Sequence, residues 1–153
     1  VNGGAESQNG FFKLPVLGGV AERLSDDIKV QFALSPDGKQ IAFSRASKET
    51  DSTDVVIASL DGTGMRELVS RPTDRPFGLG ADWSPDGSLL AVSAASDSAT
   101  ENRELFVVRV ADGHLERLTA LEWIRISNLV WTPDARGLIV VAQDRSILRH
   151  RAF

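Results

Sequence analysis

Apolar residues along much of this chain come in short runs of three or four, set off by tight polar turns. KQIAF (Lys39–Phe43) and SLLAV (Ser88–Val92), which end in apolar runs of three and four residues, are too short for helices and β-prone. Each follows the same phrase: FALSPDGKQIAF over Phe32–Phe43 and WSPDGSLLAV over Trp83–Val92. A worn copy, VWTPDARGLIVV, covers Val130–Val141. Ser35, Ser84 and Thr132 hold the equivalent position, at spacings of 49 and 48 residues. Between these copies runs a second phrase: LPVLGGVAERLS (Leu14–Ser25), ASLDGTGMRELVS (Ala58–Ser70) and VRVADGHLERLT (Val108–Thr119). Its closing leucines, Leu24, Leu68 and Leu118, lie 44 and 50 residues apart. Two phrases alternating at nearly one period make an internal repeat.

The phrases are turn chemistry. In Ser-Pro-Asp-Gly, proline presets φ for the first corner, aspartate tolerates the second, and glycine takes the left-handed position that follows. Hairpins are therefore expected at Pro36-Asp37-Gly38, at Pro85-Asp86-Gly87 and at Pro133-Asp134. In the third copy Ala135 stands where glycine is wanted, so a looser turn is expected there. Asp61-Gly62 and Asp112-Gly113 predict two more hairpins, joining Val55–Leu60 to Met65–Val69 and Leu105–Val110 to Leu115–Thr119. Each period then holds four short antiparallel strands, here called a, b, c and d, and no convincing helix. That pattern predicts an all-β chain built of β-propeller blades. A β-sandwich is the competing architecture, but it would not need the repetition.

The motif L/W-S-P-D-G-x-x-[IL]-A-[FV], followed by a strand, a DG turn and ERLT, resembles the repeats of TolB-like β-propellers. The resemblance runs from Phe11 onward. It implies blade type, and it implies function only through the settings in which such blades occur. These are the periplasmic protein TolB, the N-terminal propellers of prolyl-oligopeptidase-type enzymes, and propellers appended to bacterial serine/threonine kinases and winged-helix regulators. Phe11–Gly19 (FFKLPVLGG) and Arg117-Leu118-Thr119 look most like the appended group. The resemblance therefore implies a binding or scaffold module of a larger bacterial signalling protein. The alternatives are a peptidase's substrate filter or an envelope component. It leans toward the periplasmic side of the membrane without deciding the compartment.

Counted in blades, the chain reads as a flexible start (1–9), strands c and d (10–25), a full blade (28–70), a second (77–119), and strands a and b with a possible c (127–150). That is about three blades, where closed propellers have at least four. Starting on Val1, the sequence reads as an excerpt of a longer ring, or as a chain that pairs with a second copy to make six blades. A symmetric dimer is the commonest closed assembly.

Composition narrows the chemistry. A net charge of −4, with 17 basic and 21 acidic residues, carries no basic excess of the kind that nucleic-acid binding needs. No apolar run reaches the length of a membrane span. Without cysteine there is neither a disulfide nor a thiolate metal site. The histidines, His114 after a turn and His150 in the basic Arg149–Arg151 stretch, come with no nucleophile elbow, P-loop or kinase signature. No catalytic residue, cofactor or metal is expected. Glu49, Asp51 and Asp54 read as a solvated acidic loop, lacking the spacing of a calcium loop. Trp83 and Trp131 share one repeat position, where Leu34 stands in the first copy, and read as packing between blades. What remains is binding by the d–a and b–c loops, which are longer and more charged than the hairpins. The candidates are Arg45, Lys48, Asp51, Arg71, Arg75, Asp97, Arg103, Trp123 and Arg125, facing a protein or peptide partner.

Overall fold

The computed structural model describes residues 11–25, 32–96, 102–118 and 122–144. The stretch expected to be a flexible start (1–9), Asp97, and the segment expected after 144 lie outside the described residues. Every regular element among those described is a strand. Two four-stranded antiparallel sheets form the centre. The first is β3 (Phe32–Leu34), β4 (Gln40–Ser47), β5 (Ser52–Ser59) and β6 (Arg66–Pro72); the second is β7 (Phe77–Trp83), β8 (Leu89–Ala95), β9 (Arg103–Arg109) and β10 (Leu115–Arg117). Both run in sequence order, as strands a to d of a blade. On either side stands a two-stranded sheet: β1 (Phe11–Lys13) with β2 (Glu22–Ser25), and β11 (Arg125–Trp131) with β12 (Leu138–Gln143).

Packing explains why strands b and c read as unbroken apolar runs. Side chains of a strand point alternately to its two faces, and here both faces are covered. Val55 and Ile57 of β5 face the second sheet, where they meet Leu90, Val92, Phe106 and Val108. Val56 and Ala58 face the other way, onto Ile41, Phe43 and Phe11 of β1. Leu105 and Val107 of β9 repeat the pattern against Ile126 and Leu129 of β11. Strand d, at the rim, stays largely exposed in both sheets.

The three a–b turns are built alike. Ser35 Oγ donates to Asp37 Oδ1 (2.6 Å), Asp37 Oδ1 accepts from the Lys39 N–H (3.1 Å), and Ser35 Oγ accepts from the Gln40 N–H (2.9 Å). Ser84, Asp86, Ser88 and Leu89 repeat this at 2.6, 3.0 and 2.9 Å. Thr132, Asp134, Arg136 and Gly137 do so at 2.6, 3.1 and 3.0 Å. The third turn is therefore not looser, contrary to expectation. Ala135 adopts φ +58°, beside +70° at Gly38 and +73° at Gly87, so the same turn is made with a residue that carries steric strain there.

Blades are tied to each other by hydrogen bonds at the repeat period. The Trp83 indole donates to the Ala33 carbonyl (3.1 Å), and the Trp131 indole to the Asp82 carbonyl (3.1 Å), one blade back in each case. The Leu34 side chain, in the first copy, has no N–H to offer, and the residue is half-exposed. At the rim Arg66 donates to the Val110 carbonyl (2.8 Å). The neighbouring c–d turn needs glycine for space as well as for its φ of +73°: a Cβ at Gly113 would lie 1.9 Å from the Leu68 carbonyl oxygen.

Candidate functional site

The two ends of the blades differ in kind. At the hairpin end, a cleft of about 440 Å³ lies between the first two a–b turns, lined by Ser35, Asp37, Trp83 and Asp86 among others. Both carboxylates there already hold their own turns together. Hydrogen bonds from Ser84 and Ser88 bring the Asp86 pKa down to about 2, and that from Ser35 lowers Asp37 likewise. The opposite end is where cations gather.

There the strands are longer than the sequence suggests, and several residues expected in loops sit on sheet. Arg45 lies in β4, Arg71 in β6, Arg103 at the start of β9 and Arg125 at the start of β11. Strand pairing of β4 with β5 continues to Ser47 and Ser52, which leaves only residues 48–51 as the b–c turn. Lys48, Asp51 and Arg75 lie in loops. Asp51, at φ +49°, accepts from Thr73 Oγ1 (2.8 Å) and thereby latches the b–c turn to the d–a loop.

The acidic loop also needs correction. Asp54 is buried in β5, accepting from Ser52 Oγ (2.7 Å) and Ser70 Oγ, with Arg45 Nε 4.0 Å away. Glu104, one repeat on, is buried too and pairs with Arg117 at 2.5 Å. Each blade thus buries one carboxylate at the start of strand c and satisfies it internally, as a buried charge requires.

Arg71, half-buried, stacks its guanidinium over Phe77 (5.7 Å) and Phe106 (4.9 Å) and donates to the Ala95 carbonyl (3.1 Å). Burial, then the charge of Arg75, push its pKa below the ordinary arginine value, against Glu104 and Asp74. It remains a cation. Beside Phe77 opens a cleft of about 270 Å³, lined by Phe77, Gly78, Ser93, Arg103, Arg125, Ile126 and Ser127. Arg103 is held there by backbone pairing with Trp123 in both directions (2.6 and 2.9 Å), and one guanidinium N–H reaches the Pro76 carbonyl (3.3 Å). Arg125 is exposed and pairs with no carboxylate among the described residues. Ser93, 1% exposed, has a buried hydroxyl without a partner among the described residues.

Arg103 and Arg125 were singled out from sequence, and the fold brings them into one cleft with Trp123 beside them. Gly78, Ser93 and Ser127 were not. Ser93 had one available signal, its register with Ser44 at the 49-residue spacing.

No family model matches the chain. Among curated proteins, a dipeptidyl-peptidase 5 of Aspergillus clavatus, named as probable, is 28% identical over 137 residues, covering 80% of this chain and 19% of its own. TolB from Acinetobacter baumannii superposes with a TM-score of 0.64 at 22% identity, covering 82% of this chain and 30% of that one. The fold is a TolB-like β-propeller. A candidate TolB from Agrobacterium tumefaciens agrees (TM-score 0.69, 20% identity, 91% and 47% covered), as does a chain of a nidogen/laminin complex (0.63, 18%, 89% and 49%). The chain spans less than half the length of the TolB structures and about a fifth of the peptidase.

Proposed function

We propose that this segment is a noncatalytic recognition module of a larger protein, binding a peptide or protein at the loop end of its blades. The observation that carries the reading is the asymmetry between the two ends. At the hairpin end the polar groups are consumed by their own turns; at the loop end Arg103 and Arg125 line an open cleft with an unpartnered hydroxyl. Rigid sheet behind charged, accessible side chains is what a binding face requires. Selection of peptides from a random display library tests it. Selected peptides should bind the chain, lose binding on Arg125→Glu, and keep it on Lys39→Glu at the hairpin end. Equal binding to both variants overturns the proposal, as does hydrolysis of the peptides by the purified chain.

The similarity to a dipeptidyl-peptidase favours a second setting, in which the module screens substrates for a peptidase domain elsewhere in the polypeptide. A nucleophile elbow encoded downstream of this segment would support that setting, and its absence from the full reading frame would end it.

Closure of the ring belongs to the same reading. Among the described residues β11–β12 has strands a and b alone, β1–β2 has c and d alone, and Val130, Ile139 and Val141 are exposed on the former. A second copy offers each the strands it lacks. Light scattering over a concentration series should show a dimer; a compact monomer at micromolar concentration overturns the pairing.

A further inference from the structure

The repeat supplies its own control for the cleft. Ser44 and Ser93 are equivalent, 49 residues apart, each on strand b and facing the blade that follows. Ser44 Oγ donates to the Gly78 carbonyl of the next blade (3.2 Å), and the interface is closed there. Ser93 Oγ, in the next interface, has nothing to donate to. Aligning Trp83 with Trp131 sets Phe77, which is buried, against Arg125, which is exposed, while Thr53 in strand c corresponds to Arg103. Where the first interface has a phenyl ring and a threonine, the second has two arginines, an idle hydroxyl and an open cleft of about 270 Å³.

Gly78 places no side chain beside that buried hydroxyl. Its φ lies outside the left-handed range, so its conformation does not demand glycine. Space favours it: a Cβ at Gly78 would stand 2.2 Å from Ser93 Oγ and would turn that hydroxyl aside. A buried donor without an acceptor is uncommon enough to call for a partner that arrives from outside.

Building on the binding-module reading, we infer that this cleft is a pocket for a peptide carboxylate. A guanidinium offers parallel N–H donors that match the two oxygens of a carboxylate. Arg125 and Arg103 supply the charge, Ser93 Oγ–H supplies a neutral donor, and Phe77 and Ile126 flank the short aliphatic stem behind the carboxylate. The carboxylate comes either from an Asp or Glu side chain or from a peptide C-terminus.

Arginine Nε–Hε resonances of the full chain, assigned with Arg103→Lys and Arg125→Lys, give the test. The probes are a capped Ala-Glu-Ala peptide, its Gln analogue, capped Ala-Ala with a free C-terminus, and inorganic phosphate. We expect saturable shifts at Arg103 and Arg125 with at least one carboxylate peptide in the millimolar range, and none with the Gln analogue. The Glu and free-terminus arms tell the two sources apart. Arg125→Gln, at an exposed site, should weaken binding by about tenfold or more without moving core resonances. Gly78→Ala should weaken it as well. Absence of saturation with both carboxylates, phosphate binding as tightly as they do, or an unchanged affinity in Arg125→Gln overturns the inference. If library-selected peptides still bind the loop end while these carboxylates do not compete, the pocket falls and the binding module stands; if neither binds, both fall.

Discussion

The interface between the two full blades and the interface between the second blade and β11–β12 are built to one plan and finished differently. Each has an indole donating one blade back, from Trp83 to Ala33 and from Trp131 to Asp82. The first then closes: Trp83 is 4% exposed, Phe77 is buried under the Arg71 guanidinium, and Ser44 finds the Gly78 carbonyl. The second leaves Trp131 half-buried and Ser93 unpartnered, and sets arginine where the phenyl ring would be. Repetition thus makes the scaffold, and departures from it open a cleft.

The difference should be largest in stability. Trp83→Ala removes a buried indole and its hydrogen bond, and should cost about 3–5 kcal/mol in urea unfolding. Trp131→Ala, half-buried to begin with, should cost less than half of that. Equal losses would mean that the two interfaces are equivalent after all. On a finer scale the two serines should part. Ser44→Ala should destabilise by about 1 kcal/mol through its lost hydrogen bond, whereas Ser93→Ala, which deletes an orphan, should be neutral or slightly stabilising.

Turn copies extend the same comparison. Ala135→Gly relieves left-handed strain and should stabilise by about 0.5–1 kcal/mol, while Gly87→Ala at the equivalent site should destabilise by about as much. The smallest effect expected is one of pH. Hydrogen bonds from Ser84 and Ser88 hold Asp86 at about 2 in the fold, against an ordinary value of 3.8. A depressed carboxylate stabilises the folded state above its unfolded pKa, and that contribution is lost as pH falls through the folded one. Stability should therefore decline between about pH 4 and pH 2, with Asp37 and Asp134 acting in the same direction, and less steeply in Asp86→Asn.

What the sequence alone determined is everything that depends on neighbours along the chain. Pro-Asp-Gly chooses a hairpin by local φ preference, and short apolar runs at a 48–49-residue repeat then select strands and blades. The a–b hairpins, the antiparallel order and the packing role of Trp83 were legible for that reason. The loop-end site was legible only in part. Arg103 and Arg125 stood out as charges, but their sequence neighbours suggested loops, because strand ends are set by pairing with a partner strand that local propensity does not see. Asp54 looked like part of a solvated acidic loop for the same reason; only cross-strand neighbours Ser70 and Arg45 made its burial affordable. Whether Ser93 has a partner depends on the facing blade, and whether a cleft opens depends on which side chain fills the same volume from 32 residues further along, at Arg125. Such contacts are non-local, and only the tertiary structure decides them.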